Sequence, residues 1–96
     1  MHVHIVMVKF HDPDTAEECM AAMRSMEGRI EGMVGLDCRR NELDSPFAHD
    51  VMLLTRWTDL DAYRVYQDHP AHTPVAELVN SLMSGAATMD WTAPDA

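Results

Sequence analysis

Within Tyr66-Gln67-Asp68-His69-Pro70-Ala71-His72 the chain places two imidazoles, a phenol and a helix-breaking proline. A histidine near its ordinary pKa of about 6.5 can take a proton from an activated carbon at neutral pH. A phenol can donate a hydrogen bond to the carbonyl oxygen that gains charge as an enolate forms. Those two roles suffice for an aldol-type ring closure. Spacing adds a condition. At about 100° per residue, positions 66 and 72 of an unbroken helix lie roughly 120° apart and do not converge. A break at His69-Pro70 would let the chain bend and return His72 toward Tyr66, which makes Pro70 a positioning device. His69, held out of helical geometry by the proline, is suited to hydrogen-bonding the backbone at the bend. His4, in the opening stretch, is the second candidate, either a pocket group or a polar residue satisfied by its neighbours. No carboxylate or thiolate set stands beside His69 and His72 to complete a metal site.

The elements that must position these groups are legible from period and punctuation. His2 to Phe10 alternates as a strand, with His2, His4, Val6, Val8 and Phe10 on one face and Val3, Ile5, Met7 and Lys9 on the other. Asp14 is expected to cap a helix, with Glu17 completing a capping box. Cys19, Met20, Met23, Met26 and Ile30 form its apolar stripe, and Gly28 and Gly32 are expected to end it. Val34 to Asn41 reads as a second strand and 41–48 as a loop. Asp50 to Trp57 reads as a third strand, apolar without alternation at its centre. Thr58 is expected to cap a helix through Leu60, Tyr63 and Tyr66 that ends near Asp68. Thr73 and Pro74 restart it, Val75, Leu78, Val79 and Leu82 face the core, and Gly85 is expected to close it. Ala86 to Thr92 reads as the last strand, and 93–96 as a frayed tail. The order β-α-β-β-α-β is the ferredoxin-like split arrangement, an α+β fold, here in one domain over residues 1–96.

Composition narrows the partners. The 96 residues carry sixteen carboxylates against seven Lys and Arg, a formal net charge of −9. Such a polyanion repels nucleic-acid backbones and anionic membrane surfaces. No stretch approaches the roughly 20 apolar residues of a membrane span, and no secretory leader is visible, so a cytoplasmic location is expected. Cys19 and Cys38 have no metal-like spacing and read as reduced, partly buried thiols. The nine methionines read mainly as adaptable core filler. His2, His11 and His49 read as surface or edge residues, Tyr63 and Trp57 as core aromatics, and Asp50, Asp59 and Asp61 as solvated or capping charges.

Helices in this topology cover one face of the sheet, yet the first and third strands are apolar on both. The uncovered face would expose a larger apolar patch than a monomer usually carries, so a homodimer packed sheet to sheet is expected.

The opening His4-Ile5-Val6-Met7-Val8-Lys9-Phe10, the third strand ending in Trp57, and Tyr66-x-x-His69-Pro70-x-His72 together resemble the stress-responsive dimeric A/B barrel (Dabb) domain. The resemblance runs from about residue 2 to 92. It implies a protomer that pairs with a second copy to form a dimeric α+β barrel. Most members of that family have no assigned activity. One is a plant polyketide cyclase that closes a linear poly-β-keto thioester by aldol condensation without metal or cofactor. By this resemblance the catalytic base and phenol fall on His72 and Tyr66. His4 falls in the pocket, and Val6, Val51, Trp57 and His69 are expected to border the substrate. The sequence departs from the cyclase pattern where Val51 stands in place of a further histidine, with His49 two residues earlier.

Three functions compete on this reading. One is a cofactor-free cyclase, or a related lyase or isomerase, acting on a ketonic substrate. Another is a non-catalytic stress-response protein that binds a hydrophobic ketonic or aromatic small molecule in the same cavity. The third is a monooxygenase of the related barrel families.

Overall fold

Alternation along β1 decides which way the chain faces. In the computed structural model, which describes residues 1–94, β1 spans His2–Phe10 and is followed by a 3-10 turn at Pro13–Thr15 and α1 at Ala16–Arg24. The chain continues through β2 (Met33–Arg40), β3 (Val51–Trp57), α2 (Leu60–Gln67), α3 (Thr73–Leu82) and β4 (Met83–Thr92). This is a ferredoxin-like α+β fold with its second helix in two pieces. The four strands pair antiparallel in the order β2-β3-β1-β4, so β1 is bonded along both edges.

Register assigns the two faces. His4 stands opposite Thr55 on β3 and Asp90 on β4, and Val8 stands opposite Val51 and Ala86. That face carries the core: Val8, Phe10, Val51, Leu53 and Trp57 are buried together with Met20, Met23, Met26 and Ile30 from the α1 region. The other face carries Ile5, Met7, Met52, Leu54, Met89 and Trp91. Met89 is 66% exposed, and Met7 and Trp91 are each 39% exposed. The apolar surface expected beyond the helices is therefore present.

Several boundaries differ from the sequence reading, each for a local reason. Asp12, not Asp14, caps the first turn by accepting from the Asp14 amide at 2.9 Å, and Thr15 at the α1 cap position makes no side-chain cap bond. The helix stops at Arg24, yet Met26 and Ile30 remain buried because the chain folds back over the sheet in turns. Gly28 and Gly32 serve those turns at φ 79 and 84 rather than the end of the helix. Asp59 takes the cap of α2 by accepting from the Ala62 amide at 2.8 Å, one residue beyond Thr58. α3 begins at Thr73 with His72 at the cap position, and Thr73 Oγ1 donates to the His69 carbonyl instead. α3 passes into β4 with no loop, since Met83 is already extended at φ −80, ψ 143. Gly85 thus lies inside β4, opposite Lys9. In the tail, Ala93 is tied to Met1 by two hydrogen bonds, while 95–96 lie outside the described residues. Both cysteines are free and buried, and burial pushes both thiols above their ordinary range.

Gly32 is the turn residue under most constraint. A Cβ there would meet the Ala62 Cβ at 2.6 Å, on top of the positive φ, whereas a Cβ at Gly28 would meet nothing within 4 Å. A left-handed non-glycine residue alone costs about 1–2 kcal/mol. Gly32→Ala is expected to exceed that cost and Gly28→Ala to stay within it, as read by chemical denaturation of the two variants.

Candidate active site

The break between α2 and α3 brings Tyr66 and His72 together. The Tyr66 carbonyl accepts from the His69 amide, and the His69 carbonyl accepts from the amides of His72 and Thr73. The His69 ring turns inward on the bend, its Nδ1 accepting from the Ala71 amide at 3.0 Å. Pro70 sits exposed at the apex. The result is a reversal in which the rings of Tyr66 and His72 lie 4.1 Å apart, centroid to centroid.

These two rings are half of a longer row. From His72 the wall continues through Tyr66, then Tyr63 at 5.9 Å, then His4 at 4.7 Å. An imidazole thus stands at each end with two phenols between them. The row lines a cavity of about 270 Å³ between the sheet and the helices. Val6, Val8 and Leu53 form its floor, Met23, Met26 and Met83 add thioethers, and Gln67, Asn80 and Thr88 supply neutral polar groups. Among the described residues, no Lys, Arg, Asp or Glu lines it. The volume lies just below the roughly 300–1,000 Å³ of pockets for drug-sized ligands, which suits a molecule of about one ring.

The hydrogen bonds set the state of each group. His72 Nδ1 lies 3.0 Å from the Gln67 carbonyl, which can only accept, so Nδ1 carries the proton. In the neutral ring Nε2 then holds the lone pair, the tautomer a general base needs. Tyr66 is 4% exposed and packs on Trp57 at 4.6 Å. Burial pushes its phenol far above the ordinary tyrosine value, with Tyr63 adding to the effect, so it stays a donor. Its hydroxyl points to the Met26 thioether at 4.0 Å, a weak acceptor that a carbonyl oxygen would readily displace. Burial also raises the Tyr63 phenol, helped by the Asp90 charge and opposed by the bond from Gln67.

At the other end, Asp90 Oδ1 lies 2.7 Å from His4 Nδ1 and 3.0 Å from His2 Nε2. Burial acts to raise the Asp90 carboxyl, but the bonds to His2 and His4 and their charge outweigh it and hold it below its ordinary value. The carboxylate accepts from both rings.

Of the residues expected around the substrate, His4, Val6, Tyr66 and His72 line the cavity and three do not. Trp57 is fully buried behind Tyr66, with its indole N–H donating to Thr55 Oγ1 at 2.9 Å. Val51 is buried in the core opposite Val8 and does not line the cavity. His69 is consumed by the bend. His49 lies outside β3 and away from the cavity. His2, expected at an edge, is 3% exposed. Tyr63, which reads as a core aromatic from sequence, lines the cavity with Gln67, and Asp90 stands behind His4, neither of the last two having a role in the sequence reading. The available signal for Asp90 was a lone carboxylate between Met89 and Trp91 in an otherwise uncharged strand.

Residues 3–93 match the family model described as Stress responsive A/B Barrel Domain. The chain belongs to the stress-responsive A/B barrel (Dabb) family. An uncharacterised protein of Streptomyces coelicolor is 32% identical to this Dabb chain over 74 residues, covering 72% of this chain and 76% of that protein. Among solved structures, a dimeric ferredoxin-like protein of unknown function from Thermobifida fusca superposes with a TM-score of 0.85 at 18% identity, covering 96% and 90% of the two chains. SnoaB, a cofactor-independent oxygenase from Streptomyces nogalater, superposes with a TM-score of 0.72 at 21% identity, covering 99% and 94%. The Dabb fold is thus shared by proteins with and without assigned chemistry.

The buried phenol makes stability pH-dependent. Above pH 10.0, the ordinary tyrosine value, the unfolded chain loses the proton that native Tyr66 keeps, so stability falls as pH rises toward the folded-state value. One such group corresponds to at most about 1.4 kcal/mol per pH unit. Denaturation midpoints measured from pH 9 upward are expected to fall more steeply in the native chain than in Tyr66→Phe.

Proposed function

We propose that this Dabb protein is a cofactor-free enzyme that removes a proton beside a ketone, with His72 as the base and Tyr66 as the hydrogen-bond donor to the forming enolate. The observation that carries this reading is the His72 tautomer: Nδ1 is committed to the Gln67 carbonyl, which leaves Nε2 unprotonated at the wall of an apolar cavity beside a phenol that burial keeps neutral. An enolate formed there can attack a second carbonyl of the same molecule. Ring closure of a β-keto substrate, the chemistry of the plant polyketide cyclase that the sequence resembles, is therefore the reaction we assign. His4 and Val6 contact the substrate on this reading, and Met26 holds the phenol between turnovers. The buried, free thiols fit a reducing cytoplasmic location.

The fold shared with a cofactor-independent oxygenase supports a second reading, in which the same base ionises an aromatic hydroxyl and the resulting anion reacts with oxygen. Incubating the protein with linear β-triketones and hydroquinones separates the two. Cyclised product without oxygen uptake supports the cyclase, and oxygen consumption supports the oxygenase. Binding without turnover of either supports a non-catalytic ligand carrier. Under the cyclase reading His72→Ala is expected to lower turnover by about 10²–10⁴-fold, the usual worth of a positioned general base. Tyr66→Phe is expected to lower turnover with little change in apparent affinity.

We also propose that the chain works as a homodimer. The exposed row Met7, Met89 and Trp91 on the helix-free face supports this, as does the dimeric state described for the Thermobifida fusca structure. Light scattering at micromolar concentration is expected to give twice the 10.8 kDa chain mass. Met89→Glu, on the edge strand β4 of that face, is expected to return it to the chain mass.

A further inference from the structure

Two imidazoles face the cavity, and the proposed reaction uses one. We propose that His4 is a second proton-transfer residue and that Asp90, shared with His2, is its positioning residue. This rests on the reading of the cavity as a proton-abstraction site. It extends that reading to substrates with two reactive positions about one ring apart.

The geometry at His4 mirrors that at His72 with one chemical difference. His4 lines the cavity, and its Nδ1 lies 2.7 Å from an oxygen that can only accept, so Nδ1 carries the proton and the neutral ring keeps its lone pair on Nε2. No protein partner is found for Nε2 among the described residues. Tyr63 packs on the ring at 4.7 Å and the β1–β4 register sets His4 directly opposite Asp90, so the imidazole is held on two sides. Behind His72 stands a neutral carbonyl; behind His4 stands a carboxylate. An imidazole that accepts a proton next to a carboxylate has its new charge compensated, which is the role of the acid in a catalytic triad.

His2 gives Asp90 its place. It is 3% exposed, it donates to the same Asp90 oxygen at 3.0 Å, and its other nitrogen meets Thr92 Oγ1 at 3.4 Å. The Asp90 side chain is 37% exposed, so the carboxylate touches both the cavity histidine and solvent. The groups facing His4 are then His2 on its own strand, Asp90 on β4, Tyr63 on α2, and the neutral Thr55 on β3. Tyr66 and His72 close the far side of the cavity.

The proton inventory balances without an oxidant or cofactor. His72 Nε2 takes a proton from carbon next to one carbonyl, and the carbon–hydrogen electron pair becomes the enolate. Protonated His4 returns a proton from Nε2 to the second position, either the alkoxide left by ring closure or a carbon in an isomerisation. Substrate gains one proton and loses one, and the two histidines re-equilibrate with solvent. Because no Lys, Arg, Asp or Glu among the described residues lines the cavity, the reacting portion of the substrate is uncharged: a linear diketone that closes to a single ring rather than a carboxylate.

Two measurements on the full chain test this. Histidine side-chain nitrogen NMR is expected to show neutral His4 as the Nδ1–H tautomer, and Asp90→Asn is expected to shift it toward the Nε2–H form. Ring closure of heptane-2,6-dione, an uncharged diketone whose reacting carbons lie one ring apart, supplies the kinetic readout. His4→Gln and Asp90→Asn are each expected to slow it by about 10-fold or more and to remove one limb of its pH profile, while His11→Gln leaves it unchanged. An Nε2–H tautomer in the native chain overturns the proposal. So does ring closure that depends on His72 yet stays within twofold in a folded Asp90→Asn chain, and in that case the His72 reading survives. Absence of ring closure in the native chain overturns both. If His4→Gln fails to fold, Asp90→Asn decides alone, since it keeps the shape of the side chain.

Discussion

β1 is bonded to β3 along one edge and to β4 along the other, and the molecule depends on that double registration. The strand alternates two kinds of side chain. Because the period is two, a slip of one residue would send His2, His4, Val6 and Val8 to the helix-free face and bring Ile5 and Met7 inward. Burial of Val8 and Phe10 against the α1 methionines locks the register, and the same lock presents His4 to the cavity. One set of contacts therefore builds the core and aims the chemistry.

The second constraint is the bend between α2 and α3. Helical geometry would keep Tyr66 and His72 on different faces. The bend replaces the lost helical bonds with bonds from the His69 amide, from the amides of His72 and Thr73, and to the His69 ring. The backbone is thus satisfied without a continuous helix, and the Tyr66–His72 contact comes at little cost in unpaired groups. Trp57 backs Tyr66 from the sheet, so strand and bend hold the phenol from two directions.

The two ends of the aromatic row differ in electrostatics rather than shape. At one end a neutral carbonyl orients His72; at the other a carboxylate held ionised by two rings orients His4. Between them, burial keeps both phenols neutral. Among the described residues the cavity lining thus carries imidazoles and phenols but no fixed charge, an arrangement that suits an uncharged ligand in a chain whose overall charge is strongly negative.

Much of this was legible before any coordinates. Hydrophobic period and turn residues determined the order of elements, the broken second helix and the apolar second face of the sheet, because those are local consequences of spacing. Tyr66, His72 and His4 stood out as residues able to do chemistry. Boundaries were less legible: Asp12 and Asp59 displaced the expected caps Asp14 and Thr58, since neighbouring residues offer equivalent side-chain oxygens and only backbone geometry chooses between them. Only tertiary structure decided which candidates meet. Trp57, Val51 and His69 had suitable types but were taken by the core or the bend. Asp90 gained its meaning from lying across a strand pair from His4, 86 residues away in sequence. Register between distant strands is a property of the packed sheet, and no local pattern encodes it.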